Sequence, residues 1–188
     1  MYLKLAFGPM FSGKTSWLIN EHKNTHSPDD TIFINHSFEF NRNPIEYCIS
    51  HDNIQCATKS FFCTTLSQFD THAIISKNIK NIFINEGQFF NDLDTWLTSI
   101  QCVDINVWVS GLDYDYKQNP FGKILACIPL SDEFNRLYSK CIDCSGNAQY
   151  TKRIYNNNCT SSNNQILIGN NDVYAPVCRL CYFKNNLN

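Results

Sequence analysis

The chain opens with a short apolar run, Tyr2 to Phe7, which breaks at Gly8 and passes into Ser16 to His22, a stretch of helix-like composition. The order is strand, loop, helix. Thr31 to Asn35 forms a second run after a Ser-Pro-Asp-Asp turn at 27–30. Ile79 to Asn85 and Ile105 to Gly111 form two more, with a helix predicted over Asp92 to Ile100 between them. Strands that alternate with helices argue for a parallel sheet covered on both faces. The stretch from Phe38 to Phe69 mixes short apolar runs with Asn, Ser and Thr; it supports no assignment and reads as a long surface excursion.

After Pro129 the pattern changes. Cys pairs and Asn-rich connections replace the long apolar runs, which marks a small second module over 137–188. Its hydrophobic residues are too few for a good core, so something else must hold it.

Composition narrows the classes. A chain of 188 residues suits one compact domain with a small appendix, and 43% hydrophobic residues suffice for a core without disulfide staples. No apolar run approaches the roughly 20 residues that cross a bilayer, and Met1 to Phe7 is too short for a signal peptide, so a soluble protein of the cell interior is expected. With 15 basic against 17 acidic residues the net charge is −2, which gives no field to hold a nucleic-acid backbone or an anionic membrane. Any phosphate must be gripped locally.

Gly8-Pro-Met-Phe-Ser-Gly-Lys-Thr15 matches the spacing of a phosphate loop. Glycines let backbone N–H groups turn toward phosphates, Lys14 adds a mobile positive charge, and the Thr15 hydroxyl suits Mg²⁺. An ordinary Gly-rich turn is the plain alternative, but it does not explain why the match falls between a strand and a helix. The run Ile82 to Asn85 ends in Glu86-Gly-Gln-Phe-Phe90, at the end of a buried strand, where open α/β sheets bind ligands. Glu86 is the candidate general base, weighed against a solvated loop carboxylate.

Cys141-Ile-Asp-Cys144 and Cys178-Arg-Leu-Cys181 are two C-x-x-C pairs inside the core-poor module. They suit a tetrahedral Cys₄ zinc site, which leaves no open position for water and is therefore structural. A redox C-x-x-C is the alternative. Cys48, Cys56, Cys63, Cys102, Cys127 and Cys159 show no ligand spacing and read as buried apolar thiols, and the five His read mostly as surface or turn residues.

Taken in order, the phosphate-loop match, Glu86 to Phe90, Pro120-Phe-Gly122, Tyr150-Thr-Lys-Arg153 and Val177-Cys-Arg-Leu-Cys-Tyr-Phe183 resemble the type II thymidine kinases, the family of the vertebrate cytosolic and poxviral enzymes. The resemblance covers nearly the whole chain and is weakest over 38–69. It implies a three-layer P-loop α/β domain with a parallel sheet over 1–136. A zinc-ribbon-like domain over 137–188 would carry a substrate-binding lasso loop. The implied reaction moves the ATP γ-phosphoryl group to the 5′-hydroxyl of thymidine. Glu86 then matches the general base. Gly8, Pro9, Met10, Phe11, Ser12, Gly13, Lys14 and Thr15 match the ATP loop, with Thr15 on Mg²⁺; Asp52, Asn85 and Gln88 fall beside the phosphates. Phe89, Leu112, Tyr116 and Phe121 fall where the family packs the nucleoside, Tyr116 replacing a common Phe. Met10, Thr151 and Tyr174 match the 5-methyl side of the base, and Gln165, Ile166, Leu167, Ile168 and Gly169 match a loop that bonds the base through its backbone. Family members are commonly tetramers, so a homo-oligomer is expected.

One position departs from the family. Asn85 stands where Asp is usual, which removes a charge from the metal site. Asp52, in Ser50-His-Asp52, resembles a family motif near the phosphates and is the expected source of replacement charge. Three other functions compete with the kinase: an NTPase coupled to a protein partner, a nucleotide-binding relative that Asn85 leaves catalytically weak, and a zinc ribbon on nucleic acid, for which 137–188 carries few basic residues.

Overall fold

The computed structural model describes residues 1–25, 29–42, 47–50, 54–154 and 173–184. A seven-stranded sheet organises the chain. In chain order its strands are β1 (Tyr2–Gly8), β2 (Thr31–His36), β3 (Tyr47–Ile49), β4 (Gln55–Cys63), β5 (Asn81–Ile84), β6 (Asn106–Leu112) and β7 (Glu133–Arg136). Across the sheet they run β3-β4-β2-β5-β6-β1-β7. All neighbours pair parallel except β3 and β4, so the sheet is mostly, and not wholly, parallel.

The helices α1 (Lys14–Asn24), α2 (Ser37–Arg42), α3 (Thr71–Ser76) and α4 (Leu93–Ser99) accompany the sheet, with 3₁₀ turns at Gly87–Phe89 and Ile124–Leu130. Because side chains alternate along each strand, the sheet buries both faces. On one face Leu3, Leu5, Ile34, Ile84 and Val109 pack with Leu93 and Leu97 of α4. On the other, Phe33, Phe83 and Trp108 pack with Leu18 and Ile19 of α1. There Phe83 stacks on Trp108 with ring centroids 4.4 Å apart. The predicted strands at 2–7, 31–35, 79–85 and 105–111 all fall on sheet strands, and the helix predicted over 92–100 is α4.

The unassigned stretch 38–69 contains α2, β3 and β4, and β4 lies in the sheet beside β2. Only part of it is surface excursion.

Downstream, β8 (Ser139–Lys140) pairs with β9 (Asn147–Ala148), and β10 (Tyr150–Arg153) pairs antiparallel with β11 (Tyr174–Val177), followed by α5 (Arg179–Lys184). The core here is Cys141, Ala148, Val177 and Tyr182. Among the described residues no helix is long and apolar enough to cross a membrane.

Candidate functional site

Three adjacent parallel strands, β5, β6 and β1, end on the same side of the sheet, and their carboxyl ends carry the candidate chemistry. From β1 the chain turns through Pro9 to Gly13 into α1. Gly13 caps that helix in the left-handed region, at φ 78°, which only glycine adopts without strain. A Cβ at Gly8 would collide with the Leu137 carbonyl, so the loop begins in direct contact with the chain leaving β7.

Lys14 is buried, 8% exposed, and its Nζ donates to the Pro9 carbonyl at 2.6 Å. Burial pulls its ammonium below the usual lysine range, while the charges of Glu86 and Asp113 oppose that shift. Thr15 Oγ1 donates to Asn85 Oδ1 at 3.3 Å, and Ser110 Oγ reaches the same oxygen at 3.2 Å. The start of α1 is thus tied to the end of β5.

Glu86 follows directly, with φ 55° and ψ 44°, a left-handed backbone that a glutamate adopts at a cost. Gln88 Nε2 donates to Glu86 Oε2 at 2.6 Å, and Gln88 Oε1 accepts from the Leu112 N–H at 2.9 Å. At 2% exposure Gln88 is an internal brace between the Glu86 carboxylate and β6.

Several of the described residues matched to the nucleoside touch one another or the loop. Phe89 and Phe121 meet edge to face at 5.7 Å, and the Phe121 N–H donates to the Asp113 carbonyl at 2.9 Å. Directly opposed residues share a face of a sheet, so Thr151, Arg153 and Tyr174 lie together on the buried face of the β10–β11 hairpin. Thr151 Oγ1 accepts from the Met10 N–H at 3.0 Å. The Arg153 guanidinium lies 5.1 Å from the Tyr116 ring, and Tyr182 Oη donates to the Tyr116 carbonyl at 2.9 Å. Asp52 and Gln165 to Gly169 lie outside the described residues.

Two features escaped the sequence reading. His36 is buried, not a surface residue; it accepts the Phe38 N–H on Nδ1 and packs against Phe38, Phe89 and Phe90. Burial lowers its pKa. Asp113 is a buried carboxylate 3.3 Å from Arg136. A lone His or Asp with no motif around it carries no sequence signal, and Asp113 lies one residue beyond the end of β6.

The four cysteines converge. The Sγ atoms of Cys141, Cys144, Cys178 and Cys181 all lie within 4.8 Å of one another, with Cys144 and Cys178 at 3.6 Å. A zinc–sulfur length of about 2.3 Å gives tetrahedral sulfur separations of ~3.8 Å, so this donor set fits a zinc ion. The first pair closes a tight turn, with the Ser145 N–H bonded to the Cys141 carbonyl. The second instead opens α5, the Tyr182 N–H reaching the Cys178 carbonyl. Burial resists ionisation of Cys141, but N–H groups of Cys178, Asp143 and Cys144 outweigh it and bring the thiol to about 6, while the neighbouring sulfurs push Cys181 up to about 12. Cys48, Cys56, Cys63 and Cys127 are buried thiols as expected, whereas Cys102 is exposed.

Comparison with known proteins identifies the family. The family model described as Thymidine kinase matches residues 1–182. The thymidine kinase of Choristoneura fumiferana entomopoxvirus is 31% identical over 99% of this chain and 98% of its own length. That of Amsacta moorei entomopoxvirus is 33% identical over 97% and 98%. The cytosolic thymidine kinase of Homo sapiens is 29% identical over 97% of this chain and 73% of its own. The chain belongs to the thymidine kinase family.

Proposed function

We propose that the protein transfers the γ-phosphoryl group of ATP to the 5′-hydroxyl of thymidine, giving thymidine monophosphate and ADP. The observation that carries this reading is the Thr15–Asn85 bond, which brings the Gly8–Thr15 loop against the strand end that bears Glu86. In the proposed complex the loop N–H groups and Lys14 hold the triphosphate. Phosphate oxygens then give the buried Lys14 ammonium the anionic partner that the Pro9 carbonyl only partly replaces. Glu86, braced by Gln88, accepts the 5′-hydroxyl proton as that oxygen attacks phosphorus in line and the bond to the bridging oxygen of ADP breaks.

Residues 1–136 act as the nucleotide-binding unit and 137–188 as the unit that closes over the nucleoside. Met10, Phe89, Leu112, Tyr116, Phe121, Thr151 and Tyr174 surround the base and sugar, joined by Gln165 to Gly169. Mg²⁺ bound with ATP supplies charge neutralisation at the β and γ phosphates. Thr15 would be its protein ligand, with Asn85, a neutral amide, holding the Thr15 hydroxyl; Asp52 would supply the charge that Asn85 lacks. Cys141, Cys144, Cys178 and Cys181 hold a structural zinc ion. The working form is a homo-oligomer in the cytoplasm.

A coupled assay for ADP across several nucleosides tests the reading: release is expected only when thymidine is added. Hydrolysis indifferent to nucleosides would instead favour a partner-coupled NTPase. Glu86→Gln keeps the shape of the side chain and is expected to lower kcat by about 10²–10⁴ with little change in melting temperature. A kcat within a few-fold of the wild type would remove Glu86 from the role of base.

A further inference from the structure

Strand β1 launches the Gly8–Thr15 loop and lies between β6 and β7. Leu112, the last residue of β6, pairs with Gly8, and Arg136, the last residue of β7, pairs with Phe7. Asp113 follows Leu112, and Arg136 reaches it from the far side of β1: Nη2 lies 3.3 Å from Asp113 Oδ2. The pair spans the strand end from which the loop departs.

Asp113 is 2% exposed, and its Oδ1 accepts the Tyr114 N–H at 3.0 Å. Oδ2 receives no hydrogen bond among the described residues, so the guanidinium attracts it by charge alone. Burial pushes the Asp113 carboxyl up, with Arg136 opposing. With Arg136 38% exposed, such a pair contributes little to global stability by itself. A buried carboxylate left short of donors calls for another explanation.

Its surroundings supply one. Leu137, next to Arg136, abuts Gly8 so closely that no side chain fits there, so any drift of the β7 end moves the first residue of the loop. The Asp113 charge also reaches Lys14, and among the described residues Glu86 and Asp113 are the carboxylates that act on that ammonium.

We propose that Asp113 and Arg136 are positioning residues for phosphate binding, an ion pair that buckles β6 to β7 across β1 and so fixes where Gly8 and Lys14 meet the nucleotide. The inference rests on the phosphate-binding reading of the loop. It places the effect on ATP and not on thymidine, because the Asp113 backbone, which holds Phe121, survives a side-chain change.

The test uses the full chain. ATP binding with Mg²⁺ is measured by calorimetry without thymidine, and KM for each substrate by steady-state kinetics. Asp113→Asn and Arg136→Gln are each expected to raise KM for ATP about tenfold while leaving KM for thymidine within about twofold. The double variant should be no worse than the weaker-binding single one, and Arg136→Lys should restore most of the loss. The proposal is overturned if both KM values rise together, if KM for ATP does not move, or if the two single effects simply add. Arg136 is 38% exposed, so Arg136→Gln and Arg136→Lys carry the test if Asp113→Asn does not fold. Wild-type protein that binds no ATP would overturn the phosphate reading itself.

Discussion

The sheet that carries Lys14 and Glu86 and the cysteine-bearing segment that follows it solve the same problem in opposite ways. The sheet buries side chains on both faces, with aromatic stacking at Phe33, Phe83 and Trp108 on one and a larger aliphatic cluster on the other. Among the described residues the later segment has a small core cluster of Cys141, Ala148, Val177 and Tyr182, and its strands are two to four residues long. Burial holds the first by itself; in the second the four sulfurs are placed where a metal ion could bridge them. The lesson concerns placement. On the proposed reading, a loop that grips phosphates must be held to within fractions of an ångström by a rigid sheet, whereas a segment that closes over the nucleoside would require only a staple at its base.

Metal removal should break this comparison most visibly. A structural zinc site contributes on the order of 10 kcal/mol of apparent binding free energy. A strong chelator, or Cys178→Ser, is therefore expected to leave residues 139–184 open to proteolysis and to abolish thymidine turnover. All three Trp, at 17, 96 and 108, lie in the sheet and its helices, so their emission at 25 °C should stay native. Loss of the Trp signal along with protease resistance would show that the two regions stand or fall together.

The reverse experiment removes packing and leaves the sulfurs. Phe83 is fully buried, stacked on Trp108 and 6.1 Å from the Phe33 ring. Phe83→Ala leaves a cavity and is expected to cost about 3–5 kcal/mol in chemical denaturation followed by Trp emission. Zinc content per chain should be unchanged. A parallel loss of zinc from the folded variant would mean that the sulfur cluster depends on the sheet's core.

How much of this was legible in the sequence follows from what each residue needs. The strands β2 and β5 are buried throughout and β1 and β6 nearly so, which leaves apolar runs that are readable despite Lys4 and Ser110. By contrast β4 alternates buried and exposed positions, and its inward residues include Cys56, Thr58 and Ser60, too weakly apolar to mark period two. All four residues of β7 are exposed; pairing with β1 makes it a strand, and no local pattern announces it. The loop and the Cys pairs were visible because their chemistry requires fixed spacing. Asp113, Arg136 and His36 act through neighbours distant in sequence, and that proximity exists only in the fold.

The smallest expected effect lies where the two regions touch. Met10, in the loop, donates its N–H to Thr151 Oγ1 on β10, so one hydrogen bond joins the nucleotide side to the metal-dependent side. Thr151→Val is nearly isosteric but offers no acceptor, and the Met10 N–H, partly buried, loses its partner. The expected cost is about 1 kcal/mol in global stability, the value of one such bond with some water access. Its diagnostic consequence is larger than its energy. In the wild-type protein, chelation should lower the melting temperature of the sheet, because a disordered β10 no longer caps Met10. In Thr151→Val that link is already cut, so the chelator-induced shift should shrink by most of the same ~1 kcal/mol, a thermodynamic coupling measurable as a double cycle of mutation and metal removal. If the chelator shift is the same in both proteins, the regions communicate through Tyr182 and Tyr116 instead, and the Met10 contact is only adjacent to the path.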